Sequence, residues 1–549
     1  MAVQTSYPGL YIQELPSSSH SIAAAPTNIA VFIGLTHPLK TDPANWGKPV
    51  QLFGMADYQR GFGGFVRSSA FAAGGDATAF TRTDHTTGLA DPTTSFGDMT
   101  QALSQFFLNG GTQAYVVGVK TAVTAGEATI EGLKFTATEL TATDSPMNVT
   151  VRPINPAAAA MDIVADIIIT YGPSTGPGTI TETFRQVSMK AADPNYALTK
   201  LATSQLVSVA LSVTPAIAFP TTTKTATLSD AGLPAGGVFD AAALAKVMDQ
   251  DTGLDKLPLF NLMVIPGVVN TLVLSTALAF CERKRAFLIM DPPITVSADG
   301  TGDDFKDRVQ DYIGGTALDL PAPPTGSNAA LYFPYLTSPD PLTGGPLNAL
   351  TGKVNEIPPA PTVAGLFAAT DLARGVWKAP AGFQTTTLNT TGVVERGQMT
   401  EMRQGTLNPI GVNCLRDFPN VGTAVFGART LVTLTEEQWR YVPVRRTALF
   451  LEQSLLGSLG WVVFEPNDEP LWSAIRMSIN AFMLGLFRQG AFQGTKPSEA
   501  FSVQCDSQTT TQADIDNGIV NIVVAFAPLK PAEFVIISIA QLAGQAQTP

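Results

Sequence analysis

The segment 172–176, Gly-Pro-Ser-Thr-Gly, follows an apolar run and is the stretch most similar to a catalytic motif. It matches the G-x-S-x-G pattern, in which a sharp strand-to-helix turn exposes a serine nucleophile. In that class of hydrolase the histidine base follows the serine, but His20, His37 and His85 all precede Ser174. We therefore interpret the pattern as a turn and predict no catalytic residue.

Patterns that bind nucleotides or metals are also incomplete. Gly352-Lys353 is followed by Val354, where a phosphate-binding loop requires Ser or Thr, and the glycines of 61–64 lack the last glycine of a dinucleotide fingerprint. The three histidines have no H-x-x-H or H-E-x-x-H spacing, so a zinc or iron site has no ligand set. The sequence predicts no metal and no cofactor, and both glycine patterns are interpreted as turns.

Composition limits the possible partners. The 549 residues predict three to four domains, since a domain has about 150 residues. Only 14% of the residues are charged, and 33 basic against 45 acidic residues give a net charge of -12, which opposes adhesion to nucleic acid or anionic lipid. Three widely spaced cysteines predict no disulfide framework and fit a reducing cytoplasm. They are Cys281, Cys414 and Cys505.

Neither a secretory signal nor a membrane span is predicted. The N-terminus lacks a basic region followed by an apolar one. Two uncharged stretches are long enough to cross a bilayer, but polar residues interrupt 201–223 and Pro266-Gly267 breaks 257–281. The second stretch instead predicts a buried strand at 259–265 and a helix at 270–284, followed by a strand at 286–290. This strand-helix-strand order is typical of a parallel sheet covered on both faces.

Two basic runs could suggest phosphate binding. The run 282–285 ends a predicted helix, where cations interact favourably with the helix dipole. The run 440–446 alternates with apolar residues, as in a strand with one charged face. We interpret both as solvated or interface charges and predict no nucleic-acid site.

The remaining pattern divides the chain into a mixed core and a β-rich insertion. A short alternating strand at 7–14 lies on a Ser-rich tether, and the core begins at 29–34 and includes a helix at 99–108. Between 121 and 232 the sequence is rich in Thr, Ala, Ile and Val, with frequent turns and one short helical stretch at 196–202. The core pattern returns near 241 and is interrupted by a Pro/Gly-rich loop at 321–361.

The C-terminal region contains a long helix and three strands. Acidic residues and Pro470 at the start, and Gly490 at the end, predict a helix over 471–489. One apolar stripe is expected to face the core, namely Trp472, Ile475, Ile479, Phe482, Met483 and Leu486. A second stripe contains Met477, Ala481 and Leu484 and ends at Arg488, so the helix is either fully buried or contacts another molecule. Strands are predicted at 501–506, 519–526 and 533–539.

These segments resemble contractile tail sheath proteins, the family shared by contractile phage tails, R-type bacteriocins and phage-tail-like injection systems. The resemblance covers nearly the whole chain. The matching blocks are YPGLYIQE at 7–14, FFLNGG at 106–111, MDPP at 290–293, GVWKAPAG at 375–382, WRYV at 439–442, Arg445-Arg446, FEPNDEPLW at 464–472, TQADID at 511–516 and KPAEF at 530–534. Pro443 departs from the family by lying in an apparent strand, which indicates an edge position.

The resemblance implies a structural subunit that forms hexameric rings, stacked helically around an inner tube, and contracts without a nucleotide. Strands from the N- and C-terminal arms would extend into neighbouring subunits and join a shared sheet. The expected inter-subunit strand residues are Tyr7, Leu10, Tyr11, Ile12, Phe534, Val535, Ile536 and Ile537. The expected acceptor residues are Val503, Ile522 and Val524. The helix face expected to contact the tube contains Arg476, Met477, Leu484 and Arg488.

The predicted fold is α+β, a mixed α/β core with an inserted β-rich domain and extended terminal arms. The expected parts are an N-terminal arm (1–28), first core part (29–120), insertion (121–232), second core part (233–380), C-terminal sheath domain (381–530) and C-terminal arm (531–549). Expected partners are further copies of the chain, the inner tube, and baseplate and terminal cap proteins, without nucleic acid or membrane insertion. The particle would assemble in the cytoplasm and can be released. A non-contractile tail or lattice protein is the alternative.

Overall fold

The computed structural model describes residues 20–64, 95–120, 123–141, 146–172, 179–212, 218–228, 240–293, 304–316, 321–339, 354–394, 397–432 and 437–539. The chain divides into two compact units. The first unit contains Met1–Ala25 and Thr447–Pro549, and the second contains Pro26–Arg446.

The described helices are, in chain order, α1 (Met55–Phe62), α2 (Ser95–Leu108), α3 (Ala197–Leu201), α4 (Ala241–Lys246), α5 (Thr271–Lys284), α6 (Asp304–Gly314), α7 (Pro359–Arg374), α8 (Glu401–Leu407), α9 (Val442–Ser458), α10 (Glu469–Arg488), α11 (Pro497–Ala500) and α12 (Gln512–Asp516). The described strands are β1 (Ile29–Leu35), β2 (Val50–Leu52), β3 (Gln113–Val119), β4 (Glu127–Ile130), β5 (Leu133–Ala137), β6 (Met147–Pro153), β7 (Val164–Tyr171), β8 (Ile180–Ser188), β9 (Val207–Leu211), β10 (Lys224–Leu228), β11 (Leu262–Val264), β12 (Phe287–Met290), β13 (Ala329–Phe333), β14 (Leu336–Pro339), β15 (Val354–Ile357), β16 (Gly392–Val393), β17 (Val412–Phe418), β18 (Gly422–Phe426), β19 (Phe501–Gln504) and β20 (Val523–Phe526).

The second unit is built on an eight-stranded sheet of order β18-β17-β13-β12-β11-β1-β3-β2. Its six central strands are parallel, and β18 and β2 pair antiparallel at the two edges. Every residue of β1 is buried, as is every residue of β12 and β13, because helices cover both faces. The predicted parallel sheet in the core is confirmed.

Helices cover both faces of this sheet, and local sequence signals mark where α5 begins and ends. On one face, Phe106 of α2 packs edge-on against Phe32 at 5.2 Å. On the other face lies α5, where the Sγ of Cys281 is 3.7 Å from the Sδ of Met263. Helix α5 begins at the cap Asn270, whose side chain accepts from the Val273 N–H, and it ends with basic residues as predicted.

The described residues within 127–228 form seven strands with a hydrophobic core of their own. The strands make two antiparallel sheets, β10-β6-β7-β8 and β4-β5-β9. Between them lies a separate apolar cluster that includes Phe135, Val149 and Ile167, all fully buried. A separate core is what an insertion needs to remain folded beside the main sheet. The boundaries 121–232 of the inserted domain stay a prediction.

Two local interpretations are wrong. The run 440–446 is not a strand, because Val442 begins α9 and Pro443 lies in its first turn, where a missing N–H is tolerated. Nor is 321–361 a single loop, since β13, β14 and β15 lie within it and α7 begins at Pro359. The fully buried strand β13, with the sequence AALYF, is too short to stand out between flanking prolines.

Among the described helices, none is both long and apolar enough to cross a bilayer.

Candidate assembly interface

Helix α10 carries the core of the first unit along one stripe. Its buried residues are Leu471, Trp472, Ile475, Ile479, Met483 and Leu486. Five of these belong to the inward stripe that the sequence predicts. The sixth predicted member, Phe482, is half-buried, and its ring lies 6.2 Å from Phe450 of α9. The 3.6-residue period therefore places the core face correctly.

The start of α10 is fixed by its cap and by the loop before it. Asp468 is the cap and accepts from the Leu471 N–H at 3.4 Å, with Pro470 in the first turn. The preceding residue, Asn467, accepts from the indole N–H of Trp472 at 2.9 Å and donates to the carbonyl of Ile519 at 3.0 Å. Asn467 therefore ties the helix start to the approach of β20, a contact across 52 residues that no local pattern predicts.

Strands β19 and β20 form a two-stranded antiparallel sheet in which Val503 is paired with Val524. Phe492 packs on this sheet, with its ring 6.2 Å from Phe501 and 5.9 Å from Phe526. Residues along both strands alternate between half-buried and exposed, so one face lies on the unit and the other faces outward. An isolated two-stranded sheet is only marginally stable in water, and further strands would stabilise it.

Hydrogen bonds at Ala527 show which backbone groups point away from the β19–β20 pairing. The Gln493 N–H donates to the Ala527 carbonyl, and the Ala527 N–H donates to the Ala500 carbonyl, so Ala527 faces the β19 side. By the alternation of an antiparallel ladder, the backbone of Val524 points to the opposite, outer edge, and Ile522 has the same parity. Within the described chain no strand pairs with that outer edge. It is therefore a template for a further strand.

The C-terminal segment 531–539 has the composition of a strand but lies outside any sheet of the described residues. Its large apolar side chains are exposed, from 73% at Phe534 to 92% at Ile539. Val535, Ile536 and Ile537 are exposed as well. A run of exposed apolar residues of this kind marks an interaction site.

The N-terminal end of the described chain lies along α9. The N–H of Ala23 donates to the Ser458 hydroxyl at 3.1 Å, and the N–H of Ala25 donates to the Ser454 hydroxyl at 2.9 Å. The ring of His20 stacks on Trp461 at 3.9 Å. The predicted inter-subunit residues Tyr7, Leu10, Tyr11 and Ile12 lie before this segment, outside the described residues.

The expected tube-contacting face of α10 divides into two parts. Met477 is 71% exposed, Arg488 is exposed and Leu484 is half-buried. Arg476 instead makes contacts within its own unit, because it donates to the Cys505 carbonyl and, at 2.5 Å, to Glu469. The hydrogen bond with Glu469 raises the pKa of Arg476 above its ordinary value. Arg476 thus covers the end of β19, whereas Met477 and Arg488 remain accessible.

The residues considered for catalysis do not form a site among the described ones. Ser174, His85 and Lys353 lie outside the described residues. Gly63 of the glycine-rich 61–64 ends α1 in a left-handed conformation with φ 83°, so this pattern is a helix C-cap as well as a turn. In the described ranges, no three His, Cys, Asp or Glu side chains are grouped to hold a metal ion. What the arrangement offers is backbone pairing and apolar contact.

Residues 435–541 match the phage tail sheath C-terminal domain. A stretch of 180 residues, 32% of this chain, is 28% identical to the tail sheath protein of Vibrio phage KVP40, isolated from Vibrio parahaemolyticus in Japan. The match spans only a quarter of the length of that relative.

The whole fold is similar to solved sheath structures. The sheath of the extracellular contractile injection system PVC, in its contracted state, matches with a TM-score of 0.55 and 21% identity over 98% of this chain and 99% of that one. The helical sheath of the anti-feeding prophage, also contracted, matches with a TM-score of 0.56 and 22% identity over the same shares. The chain therefore has the fold of these sheath subunits.

Proposed function

We propose that this protein is a structural tail sheath subunit that polymerises as stacked hexameric rings around an inner tube and contracts to drive the tube through a target envelope. The observation that carries the proposal is the pairing of two incomplete features in one chain. One is the open outer edge of β20, and the other is the exposed apolar segment 531–539.

Strand exchange between copies satisfies both features at once. A donated strand gains a ladder of backbone hydrogen bonds at Val524 and Ile522 and loses its exposure to water. Because the donor and acceptor surfaces differ, each copy donates to one neighbour and accepts from another. Contacts of this heterologous type build open helical polymers. The proposed N-terminal strand, with Leu10 and Ile12, would be donated in the same way.

Residues 20–25 attach the N-terminal arm to α9 of its own subunit. The hydroxyls of Ser454 and Ser458 accept backbone N–H groups of this segment, and the ring of His20 stacks on Trp461. Residues 20–25 are therefore fixed to their own subunit. A segment anchored at one end can reach a neighbour while its subunit moves. In our proposal these arms keep subunits linked as the sheath shortens, and the energy is stored in the extended lattice at assembly.

The accessible face of α10 suits a contact that must be released. Met477 and Arg488 offer one apolar and one charged group without a large dry patch. Exposed charge pairs contribute up to about 1 kcal/mol each. Summed over many subunits, such contacts bind a tube tightly, yet each subunit can dissociate from it separately. We assign this face to the inner tube.

Truncation of each arm tests strand exchange. Deleting 1–19, or ending the chain after Pro531, should leave a folded subunit by circular dichroism, because the large apolar side chains of 534–539 are exposed and both terminal strands are proposed to serve a neighbouring copy. Both truncations should abolish sheaths in negative-stain electron microscopy. Normal sheaths from both truncated chains would contradict the proposal.

Particle length tests contraction separately. Full-length protein assembled with its tube should give particles in two lengths, long and tube-filled or short and wide. A single length under all conditions, with intact polymers, would favour the non-contractile lattice protein instead.

A further inference from the structure

The loop between α9 and α10 presents two apolar side chains, Val463 and Phe464, which we name the apolar knob. Phe464 is fully exposed, and Val463 is exposed as well. The backbone of Phe464 has φ 71°, in the left-handed region that bulky residues avoid. Strain of this kind, at a residue that buries nothing in its own subunit, points to a functional role for the side chain.

The knob is held beside the strand-exchange site. On one side, Trp461 stacks on His20, the first described residue of the N-terminal arm. On the other side, Asn467 donates to the Ile519 carbonyl, four residues before β20. Ile519 and Val523 are themselves exposed, so the residues that lead into β20 also present apolar side chains to water.

The C-terminal segment 531–539 would expose apolar side chains on both faces if it were extended. Alternation places Phe534 and Ile536 on one face of an extended strand and Val535, Ile537 and Ile539 on the other, so both faces are apolar. The β19–β20 sheet offers a buried face on one side only, since Ser502, Gln504, Val523 and Ala525 face outward. A strand added at β20 would therefore leave one apolar set in water unless a further group covers it.

We propose that the apolar knob of one copy packs on the outward face of the C-terminal strand donated by a second copy. The inference rests on the proposed strand exchange and names a residue that secures it. The N-terminal run is a poorer occupant, because the residues beside Leu10 and Ile12 include the polar Gln13, and one of its faces can meet water. In this arrangement the strained backbone of Phe464 directs its ring over the donated strand.

Substitution of Phe464 separates assembly from stability. Glycine adopts a positive φ without strain, so F464G should melt at or above the temperature of the wild-type subunit. Its critical concentration for sheath assembly, measured by sedimentation, should rise about tenfold, because a phenyl ring loses its burial at every joint. F53A, which removes another exposed phenylalanine from the second unit, is the matched control and should assemble like wild type. Wild-type assembly of F464G would overturn the inference.

Crosslinking identifies the occupant. Chains carrying F464C are mixed with chains carrying a single cysteine at Ile536, Ile537 or Leu10, assembled and mildly oxidised. The native cysteines are buried and do not compete. Disulfide-linked dimers should form with Ile536 or with Ile537, but not with both, because the two face opposite sides. Dimers with both, with Leu10 alone or with none would overturn the inference.

The chain truncated after Pro531 distinguishes failure of this inference from failure of the proposed function. If truncation abolishes assembly and F464G does not, strand exchange stands and the knob has no part in it. If the truncated chain assembles normally, C-terminal strand exchange itself is wrong.

Discussion

Arg446 and Asp371 form a buried bidentate ion pair, with Nη1 2.9 Å from Oδ1 and Nη2 2.6 Å from Oδ2. The guanidinium also lies 4.8 Å from the centre of the Phe367 ring and donates to the Thr27 carbonyl at 2.9 Å. The Arg446 side chain thus connects the start of α9 to helix α7 and to the segment that leads into β1. The sequence interpretation of Arg446 as a solvated or interface charge is wrong.

Removing either partner should destabilise the subunit strongly. D371N or R446M leaves an uncompensated buried group, which costs about 3–5 kcal/mol. Urea unfolding of the purified subunit measures the loss. R440M is the control, because the Arg440–Glu437 pair is partly exposed and is expected to contribute up to about 1 kcal/mol. Equal decreases in the free energy of unfolding for D371N and R440M would show that the buried pair contributes no more to stability than the exposed one.

A second buried carboxylate should make the subunit sensitive to acid. The Nδ1 of His37 accepts from the backbone N–H groups of Leu39 and Lys40, so the ring proton is on Nε2, which donates to Glu139 at 3.2 Å. Burial raises the pKa of Glu139, but the His37 bond and the Lys40 charge outweigh it and hold the pKa below its ordinary 4.5.

The sign of the effect follows from that lowered pKa. The contribution of Glu139 to the free energy of unfolding is complete above pH 4.5 and is lost as the pH falls through the lower folded-state pKa. Thermal melts from pH 7 to 3 should show E139Q less stable than wild type at pH 7 and less dependent on pH below 4.5. Parallel curves for the two proteins would contradict this assignment.

The two arginines of α10 should behave differently. R476E breaks the contacts with Glu469 and the Cys505 carbonyl, so it should lower the melting temperature of the monomer. R488E should lower that temperature only slightly, because it loses a favourable charge at the exposed helix C-terminus, and it should reduce the fraction of tube-filled extended sheaths. Melting of purified monomers and micrographs of assembled particles measure the two effects. An unstable R488E monomer, or wild-type particles from it, would remove this residue from the tube contact.

The β-rich segment should be dispensable for folding of the main sheet. Its apolar cluster is separate, so replacing 121–232 by a short Gly/Ser linker should leave a folded α/β core. The shortened chain should melt at a lower temperature, because Leu140 packs on the main cluster and Glu139 bonds His37. Far-ultraviolet circular dichroism with a thermal melt tests this. Loss of cooperative melting would show that the core depends on the segment.

Signals within a few residues were sufficient to predict several elements. Helix α5 could be predicted because Asn270 caps its start and basic residues end it, and α10 because Asp468 and Pro470 define its first turn and a 3.6-residue period defines its inner face. Strands β11 and β12 of the parallel sheet were visible as short apolar runs. Each of these signals acts through backbone bonds or side chains close in sequence.

Where two periods fit a short run equally well, sequence reasoning failed. The run 440–446 was interpreted as a strand with one charged face, yet α9 begins within it at Val442, since Pro443 fits a first helical turn and Arg446 reaches Asp371 only when α7 packs nearby. A run of seven residues is too short to separate a period of 2 from one of 3.6.

What the sequence by itself determined was local: which segments form helices or strands, where several of them begin, and which face of α10 is apolar. Only the tertiary structure decided the pairings between distant segments: Asn467 with Ile519, Arg476 with Cys505, and β19 with β20 leaving an outer edge open. The physical reason is that such contacts form between groups brought together by the packing of whole elements, and nothing in the neighbouring residues encodes which distant partner will be reached.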